Sequence, residues 1–194
     1  MKNEIENFRL EPLVDPRYVH TSLATYQQNG IAKDWEIVKA HDSVSILIYH
    51  RERECFILVK QFRPAVYLHN DGGMTIELCA GIVDKDLTLQ QIAQEEIEEE
   101  CGYRVPLEGV ERITAFYTSV GFAGSLQTLY YAEIIDTMKV SEGGGVDNEM
   151  IEVIEMSLAE AKVFIYDESI AKTPGLMFAF MWWMRERSAF SVEQ

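Results

Sequence analysis

The chain has 194 residues, 47% of them hydrophobic, and its 32 acidic and 17 basic side chains give a net charge of −15. Such a chain can bury the core of one globular domain, and without a cluster of basic residues it is not expected to bind nucleic acid. The longest apolar run, residues 176–183 within LMFAFMWWM, is far shorter than the roughly 20 residues that span a bilayer, so no membrane association is expected.

The first predicted elements are two strands within YVHTSLATYQQNGIAKDWEIVKAH, joined by the turn signal Asn29-Gly30. Ahead of them, MKNEIENFRLEP carries acids where a signal peptide has its apolar stretch, which favours a cytoplasmic protein. Residues 1–42 are therefore predicted to form a small N-terminal β-sheet that is not an independent domain. Residues 43–194 are predicted to form the main domain.

The main domain is predicted to contain strands that precede and flank a central helix, followed by more helices. The predicted strands are SVSILIYH (43–50), CFILVKQF (55–62), MTIELCAG (74–81), QTLYYAEI (127–134) and MIEVIEM (150–156). The first two form a hairpin around the charged RERE. LAEAKVFI and PGLMFAFMWWMRER are the terminal helices, and the whole pattern indicates an α/β fold with a mixed sheet.

A central helix rich in glutamate is predicted between the third and fourth strands. A capping box begins it at Thr88, and Gly102 supplies a left-handed stop. At about 100° per residue, an apolar stripe faces the sheet, and Glu96, Glu99 and Glu100 share an arc beside that stripe.

The three carboxylates on this arc would be partly desolvated and close together, so they need a compensating cation. Hard divalent ions such as Mg²⁺ are held by carboxylate and carbonyl oxygens, which predicts a magnesium site on this helix. The alternative from the residues alone is a solvated acidic face, which is common on exposed helices.

The stretch GIVDKDLTLQQIAQEEIEEECGY (81–103) resembles the box of the Nudix hydrolases, a glycine, a loop and a helix that ends in REUxEExGU, where U is a bulky aliphatic residue. The matching residues are Gly81, Glu96, Ile97, Glu99, Glu100 and Gly102. The resemblance implies a Nudix fold, in which a mixed β-sheet lies in an α/β/α sandwich. It also implies Mg²⁺, with Mn²⁺ as a substitute, on Glu96, Glu99, Glu100 and the carbonyl of Ala80.

Two positions depart from the box. Leu87 stands where the family has a glutamate, and Glu95 stands where it has an arginine that helps to orient the box carboxylates. These departures keep open a module that binds a nucleotide sugar without cleaving it. Because a glutamate and an arginine are absent together, no single unpaired partner is left behind, and the retained glutamates favour hydrolysis.

From about Tyr26 onward, the chain resembles the UDP-sugar diphosphatases, also called UDP-glucose pyrophosphatases. The resemblance rests on segments such as ILVKQFRPAVY, TIELCAGIVD and GSLQTLYYAEI. It implies hydrolysis of UDP-sugars to UMP and a sugar 1-phosphate, and a homodimer in which the N-terminal strands reach the partner. The neighbouring branch, which cleaves ADP-ribose, usually has a proline where YTSVG has Val120. ADP-ribose or ADP-sugars therefore remain the alternative substrates.

The remaining candidate residues follow from this reaction. A catalytic base is expected on a loop after the box, where Glu149 is the first choice, Asp147 and Glu152 are alternatives, and Glu99 assists at the metal; an ordinary acidic loop is the competing interpretation. Further candidates contact the substrate. They are Arg63 for the phosphates, Trp35 for stacking on the base or else for core or dimer packing, and Glu77 for the polar network beside the box.

Overall fold

The computed structural model describes residues 5–70, 72–146 and 149–187. In chain order the elements are β1 (His20–Gln28), β2 (Ile31–Lys39), β3 (Ser43–His50), β4 (Cys55–Phe62), α1 (Pro64–Tyr67), β5 (Met74–Glu77), β6 (Cys79–Ile82), α2 (Leu89–Cys101), β7 (Val110–Thr118), β8 (Ser125–Ile134), β9 (Glu152–Ser157), α3 (Leu158–Phe164) and α4 (Pro174–Glu186). None of the helices in these ranges is long and apolar enough to cross a bilayer.

The N-terminal strands form a separate antiparallel hairpin, as predicted. β1 and β2 pair from His20↔Lys39 to Gln28↔Ile31, and Asn29 and Gly30 both adopt the positive φ that a tight hairpin turn requires. Nearly every residue of the hairpin is exposed. One backbone hydrogen bond, from Val38 N to Phe122 O at 2.8 Å, ties it to the loop between β7 and β8.

The main sheet has seven strands and is mixed. Its central path runs β5-β4-β3-β8-β7, with β6 paired to β3 and β9 paired to β4. β3 runs parallel to β8 and antiparallel to β4 and β6. β3 and β4 pair over only three residue pairs before they diverge, after which β3 pairs with β6 and β4 pairs with β5. This divergence gives β6 its place beside β3, below α2.

Helices cover both faces of this sheet, so alternate side chains of β3 are buried in two different cores. Val44, Ile46 and Ile48 pack on one face with the apolar stripe of α2. Leu47 packs on the other face with α4, where Trp183 is fully buried. The predicted α/β/α sandwich with a small extra sheet is confirmed.

The structure corrects three details. MTIELCAG is two strands, because residues 74–77 pair with β4 while residues 79–82 cross over to β3. β7 was not predicted, and β9 begins two residues later than the predicted run. The bounds of β3 and β4 agree with the prediction, and the capping box and the left-handed Gly102 delimit α2 as expected.

Candidate active site

A cavity of about 590 Å³ lies where α2 packs beside β6. Side chains from distant parts of the sequence line it, and most of the predicted site residues are among them. These are Arg63 after β4, Glu77 of β5, Ala80 of β6, Glu96 and Glu100 of α2, and Glu149 before β9. One space therefore brings together the expected acidic, basic and backbone groups.

Glu100 is the most deeply buried of the box glutamates, with 5% of its surface exposed. Its Oε2 accepts a hydrogen bond of 2.9 Å from the amide of Ala80. This contact joins the last turn of α2 to β6, so the carboxylate and the neighbouring backbone of Ala80 are fixed together.

Glu96, which lies one turn before Glu100 on α2, packs directly against Gly81 of β6. A methyl group on Gly81 would lie 2.6 Å from Cγ of Glu96 and closer still to its carboxylate. The glycine at the start of the box is therefore needed because the Glu96 side chain occupies the space that any larger residue would take.

The electrostatics of this cluster suit a hard divalent cation. Burial raises the pKa of Glu96 to about 7, and repulsion from Glu99 adds to the shift. Burial also raises the pKa of Glu100 to about 8, despite the hydrogen bond from Ala80. The raised pKa values show that the ionised carboxylates lack a compensating cation, and closely spaced carboxylate oxygens are the ligands that Mg²⁺ and Mn²⁺ prefer, so the donor set of Glu96, Glu99 and Glu100 fits such an ion.

Glu99 lies at the edge of the cluster and is not among the residues that line the cavity. Its side chain is 32% exposed, and its Oε1 is 3.8 Å from Nζ of Lys85. Lys85 also pairs with Glu95 at 2.8 Å. Lys85 was not predicted as a site residue. The signal that could have identified it is its position in the loop of the box, ten residues before Glu95.

Arg63 reaches the cavity already paired with Glu77. Its Nε and Nη2 donate to the two carboxylate oxygens of Glu77 at 2.8 Å and 2.6 Å, and the hydroxyl of Thr75 donates to the same carboxylate. Burial alone would raise the pKa of Glu77, but these hydrogen bonds and the charge of Arg63 outweigh it and lower the pKa. Glu77 therefore fixes the guanidinium, and both of its own oxygens are occupied.

The glycine segment 143–145 docks on the end of α2. All three glycines have positive φ. Gly144 N donates to Glu100 O at 2.8 Å and Gly145 N donates to Glu99 O at 3.1 Å, so two of the last carbonyls of α2 are satisfied. The segment leads to Glu149, whose Oε2 accepts from Val146 N at 3.0 Å. Asp147 lies outside the described residues.

Trp35 is separated from this cavity in the single chain. It lies on β2 with 57% of its surface exposed, and its Nε1 donates to Gly121 O at 2.6 Å. It is not among the lining residues. The prediction that Trp35 contacts the nucleobase therefore requires a second copy of the chain.

Tyr18 and His41 line the cavity instead, and sequence reasoning missed both. Their rings meet edge to face with centroids 6.4 Å apart. Ser43, Gln61 and Gln127 add hydroxyl and amide groups to the lining. No local signal distinguishes Tyr18 or His41 as site residues, because only the path of the N-terminal segment brings them to the cavity.

A second acidic group lies at the opposite end of β3. In the described part of the chain, one set of three metal-binding side chains has ligand atoms that all lie within 4.8 Å of one another, and it is His50, Glu52 and Asp136. His50 Nδ1 accepts from the amide of Arg53, so a neutral ring carries its proton on Nε2 and cannot donate a lone pair there. The guanidinium of Arg53 also pairs with Asp136. Arg53 therefore already supplies a positive charge to Asp136, so this group has less need of a metal ion.

Comparison with known proteins places these residues in a wider context. A model of the NUDIX domain matches residues 39–173. The chain is similar to proteins named uridine diphosphate glucose pyrophosphatase NUDT14, with 39% identity to that of Bos taurus over 81% of this chain and 84% of the relative. Identity to that of Mus musculus is 36%, over 87% and 89%. A GDP-mannose pyrophosphatase of Cronobacter sakazakii is 41% identical over 66% of this chain and 70% of its own length.

Proposed function

This chain belongs to the NUDIX domain family, and from this membership we infer that it is a hydrolase that cleaves the diphosphate of nucleoside-diphosphate sugars. UDP-sugars such as UDP-glucose are the substrates, and UMP and a sugar 1-phosphate are the products. The observation that carries this function is the cavity lined together by Glu96, Glu100, Glu149 and Arg63. A diphosphate needs both the anion-binding group and the carboxylates that hold its metal ion.

The choice of UDP-sugars rests on the extent of similarity. The relatives named for uridine diphosphate glucose match over more than four-fifths of both chains. The relatives named for GDP-mannose match over about two-thirds. Both groups are named as nucleotide-sugar pyrophosphatases, which supports the reaction class more strongly than the base. The ADP-ribose alternative finds no comparable support among these relatives.

A divalent metal ion, which we take to be Mg²⁺ with Mn²⁺ as a substitute, would be held by Glu96, Glu99, Glu100 and the carbonyl of Ala80. Such an ion would supply positive charge for the phosphate oxygens and would make water in the site easier to deprotonate. The hydrogen bond from the Ala80 amide to Glu100 supports this assignment, because it already holds the strand end and the helix together.

The protein side chains supply orientation and proton transfer. Arg63 is fixed by Glu77 through Nε and Nη2, so Nη1 can bind a non-bridging oxygen of the diphosphate. Glu149 accepts a proton from the water that attacks phosphorus, and the bond from that phosphorus to the bridging oxygen breaks. Glu96 and Glu100 are assigned to the metal ion. Glu149, which lies in the loop before β9, is therefore available for this role. Asp147 remains the alternative base.

The nucleobase end of the substrate lies at the side of the cavity lined by Tyr18 and His41, since aromatic rings bind bases by stacking. Trp35 would join them from a second copy of the chain.

An exposed hairpin supports the proposed homodimer, because Leu23, Ile31 and Trp35 are each more than half exposed in the single chain. The cytoplasmic location stays a prediction; free, buried cysteines suit a reducing compartment.

A panel assay tests the function. The protein is incubated with UDP-glucose, GDP-mannose, ADP-ribose and ADP-glucose in Mg²⁺, and the released mononucleotide is identified by chromatography. We expect UMP to form fastest. Glu100→Gln is the matched inactive control, because its amide oxygen can still accept from Ala80 N while one metal-binding charge is lost.

Each alternative gives a distinct result. Faster release of AMP or GMP would change the base but keep the chemistry. Binding of nucleotide sugars without any release would identify a non-catalytic module and refute hydrolysis. Light scattering that shows a stable monomer at micromolar concentration would refute the homodimer.

A further inference from the structure

Lys85 is the cation nearest to the glutamates on the metal-binding side of α2. Its Nζ lies 2.8 Å from Glu95 Oε2 and 3.8 Å from Glu99 Oε1. Within the ranges that the structure describes, no other lysine or arginine lies within 4.0 Å of these two carboxylates, and Glu96 and Glu100 have no ion pair. Lys85 therefore places positive charge beside Glu99, one of the proposed metal ligands.

The Lys85–Glu95 pair contributes little to the stability of the fold. The two side chains are 40% and 43% exposed, and exposed ion pairs of this kind contribute little because water screens the charges. Its position is more informative, because the same ammonium lies within 4.0 Å of both Glu95 and Glu99, and Glu99 is one of the proposed metal ligands.

Glu95 controls where that ammonium lies. It occupies the box position at which the family has an arginine, and it points at Lys85 instead of supplying a cation itself. A lysine on a flexible stem is held by one carboxylate and stays 3.8 Å from the next, beyond direct hydrogen bonding. Without Glu95, the ammonium would be free to move onto Glu99.

We propose that Lys85 is a built-in counter-ion of the glutamate cluster, which competes with the divalent metal ion for Glu99, and that Glu95 limits this competition by holding the ammonium away. The proposal rests on the metal site of the proposed function. It makes Lys85 and Glu95 positioning residues that set metal affinity, without contact with the substrate.

Two substitutions of the pair have opposite expected effects. Lys85→Met removes the competing charge, so the Kd for Mn²⁺ should fall by about fivefold at low ionic strength. Glu95→Gln removes one attractive charge and releases the ammonium toward Glu99, so the Kd should rise by about fivefold or more. The double variant Lys85→Met/Glu95→Gln restores the net charge and should bind close to the wild type.

The same helix offers a matched control. Arg104 pairs with Glu98 through two hydrogen bonds of 2.9 Å and 2.6 Å. Neither residue lines the cavity. Arg104→Met and Glu98→Gln make the same changes in net charge as the two test variants, and each should shift the Kd by less than twofold.

Titration of free Mn²⁺ by electron paramagnetic resonance measures the Kd without substrate and without turnover. Circular dichroism checks that each variant is folded. The proposal is overturned if Lys85→Met leaves the Kd within twofold or raises it, if both single variants shift the Kd in the same direction, or if Arg104→Met gives an equal shift. A wild-type protein that takes up no Mn²⁺ even with nucleotide sugar present would instead refute the metal site of the proposed function.

Discussion

Replacing Gly81 by alanine should inactivate the enzyme without unfolding it. Gly81 lies in β6, opposite Val44 of β3, and its α-carbon faces the Glu96 side chain. An added methyl group would lie 2.6 Å from Cγ of Glu96, whereas an ordinary contact begins at 3.4 Å. The clash falls on a flexible side chain and not on backbone, so the glutamate moves and the strand remains.

The size of the effect follows from this geometry. Relief of the clash moves the Glu96 carboxylate by roughly 1 Å, and a misplacement of that size can cost about 100-fold in rate. The free energy of unfolding should fall by no more than about 2 kcal/mol, because an overpacking cost of roughly 1–3 kcal/mol is partly offset by the lower entropy of the unfolded chain. The substitution should therefore lower activity strongly while it lowers stability only moderately.

Steady-state hydrolysis of UDP-glucose and urea unfolding, followed by circular dichroism, measure the two quantities. Gly121→Ala is the matched control, since a methyl group there meets no atom within 4 Å. It should leave turnover and stability unchanged. Turnover of Gly81→Ala within threefold of the wild type would show that Glu96 does not need its observed position, and would refute its role as a metal ligand.

Three further outcomes are expected. Glu149→Gln should lower kcat by about 10²- to 10⁴-fold with little change in KM, and an unchanged kcat would remove it from the mechanism. Glu96 and Glu100 have pKa values of about 7 and 8 in the fold against 4.5 for free glutamate, so the folded protein binds protons that the unfolded chain has released. Their stabilisation is complete below pH 4.5 and is lost as the pH rises through 7 and 8. Metal-free protein in chelator should therefore lose about 4 kcal/mol between pH 5.5 and pH 8.5 in urea unfolding, about 3 kcal/mol from Glu100 and about 1 kcal/mol from the partly exposed Glu96, whose share solvent screening reduces. Equal stability at both pH values would contradict the buried carboxylates. Gly102→Ala places a methyl group 2.8 Å from a backbone nitrogen at a φ of 80°, so thermal unfolding should show a loss of more than about 2 kcal/mol, and a smaller loss would contradict the helix-end geometry.

The sequence predicted α2 accurately because its limits are set by local chemistry. The capping box at Thr88 and the left-handed glycine at 102 act within one turn of the helix, and the structure has both. The helical phase placed Glu96, Glu99 and Glu100 on one arc. Glu96 and Glu100 line the cavity, whereas Glu99 lies at its edge with 32% of its side chain exposed.

Elements that depend on pairing with distant strands were less accessible. β7 begins with Val110 and then carries charged residues at 111 and 112, so it lacks a clear alternating pattern. Its nine residues adopt a strand because they pair antiparallel with β8. The break at Leu78 likewise arises because the chain leaves β4 for β3. Such choices of partner are tertiary and leave no local signal.

The site shows the same division. Arg63, which was expected to bind the substrate phosphates, lines the same cavity as Glu96 and Glu100, but its pairing with Glu77 depends on how the segment after β4 lies against β5. Tyr18 was not predicted because the segment before β1 has no regular structure that a pattern could reveal. Trp35 was a reasonable aromatic candidate by residue type, and its distance from the cavity within one chain could be seen only in the fold.

The two departures from the box are connected by Lys85. Glu95 lacks the positive charge of the arginine it replaces, so a glutamate at position 87 would have had no cation at 95 to pair with. Leu87 removes that unpaired acid, and Lys85, two residues earlier in the same loop, supplies a cation for Glu95 at 2.8 Å. Glu95 is thus paired and does not add an unpaired acid beside Glu96, Glu99 and Glu100. Because the three glutamates are retained without an unpaired charge at the altered positions, a changed box is compatible with an active enzyme.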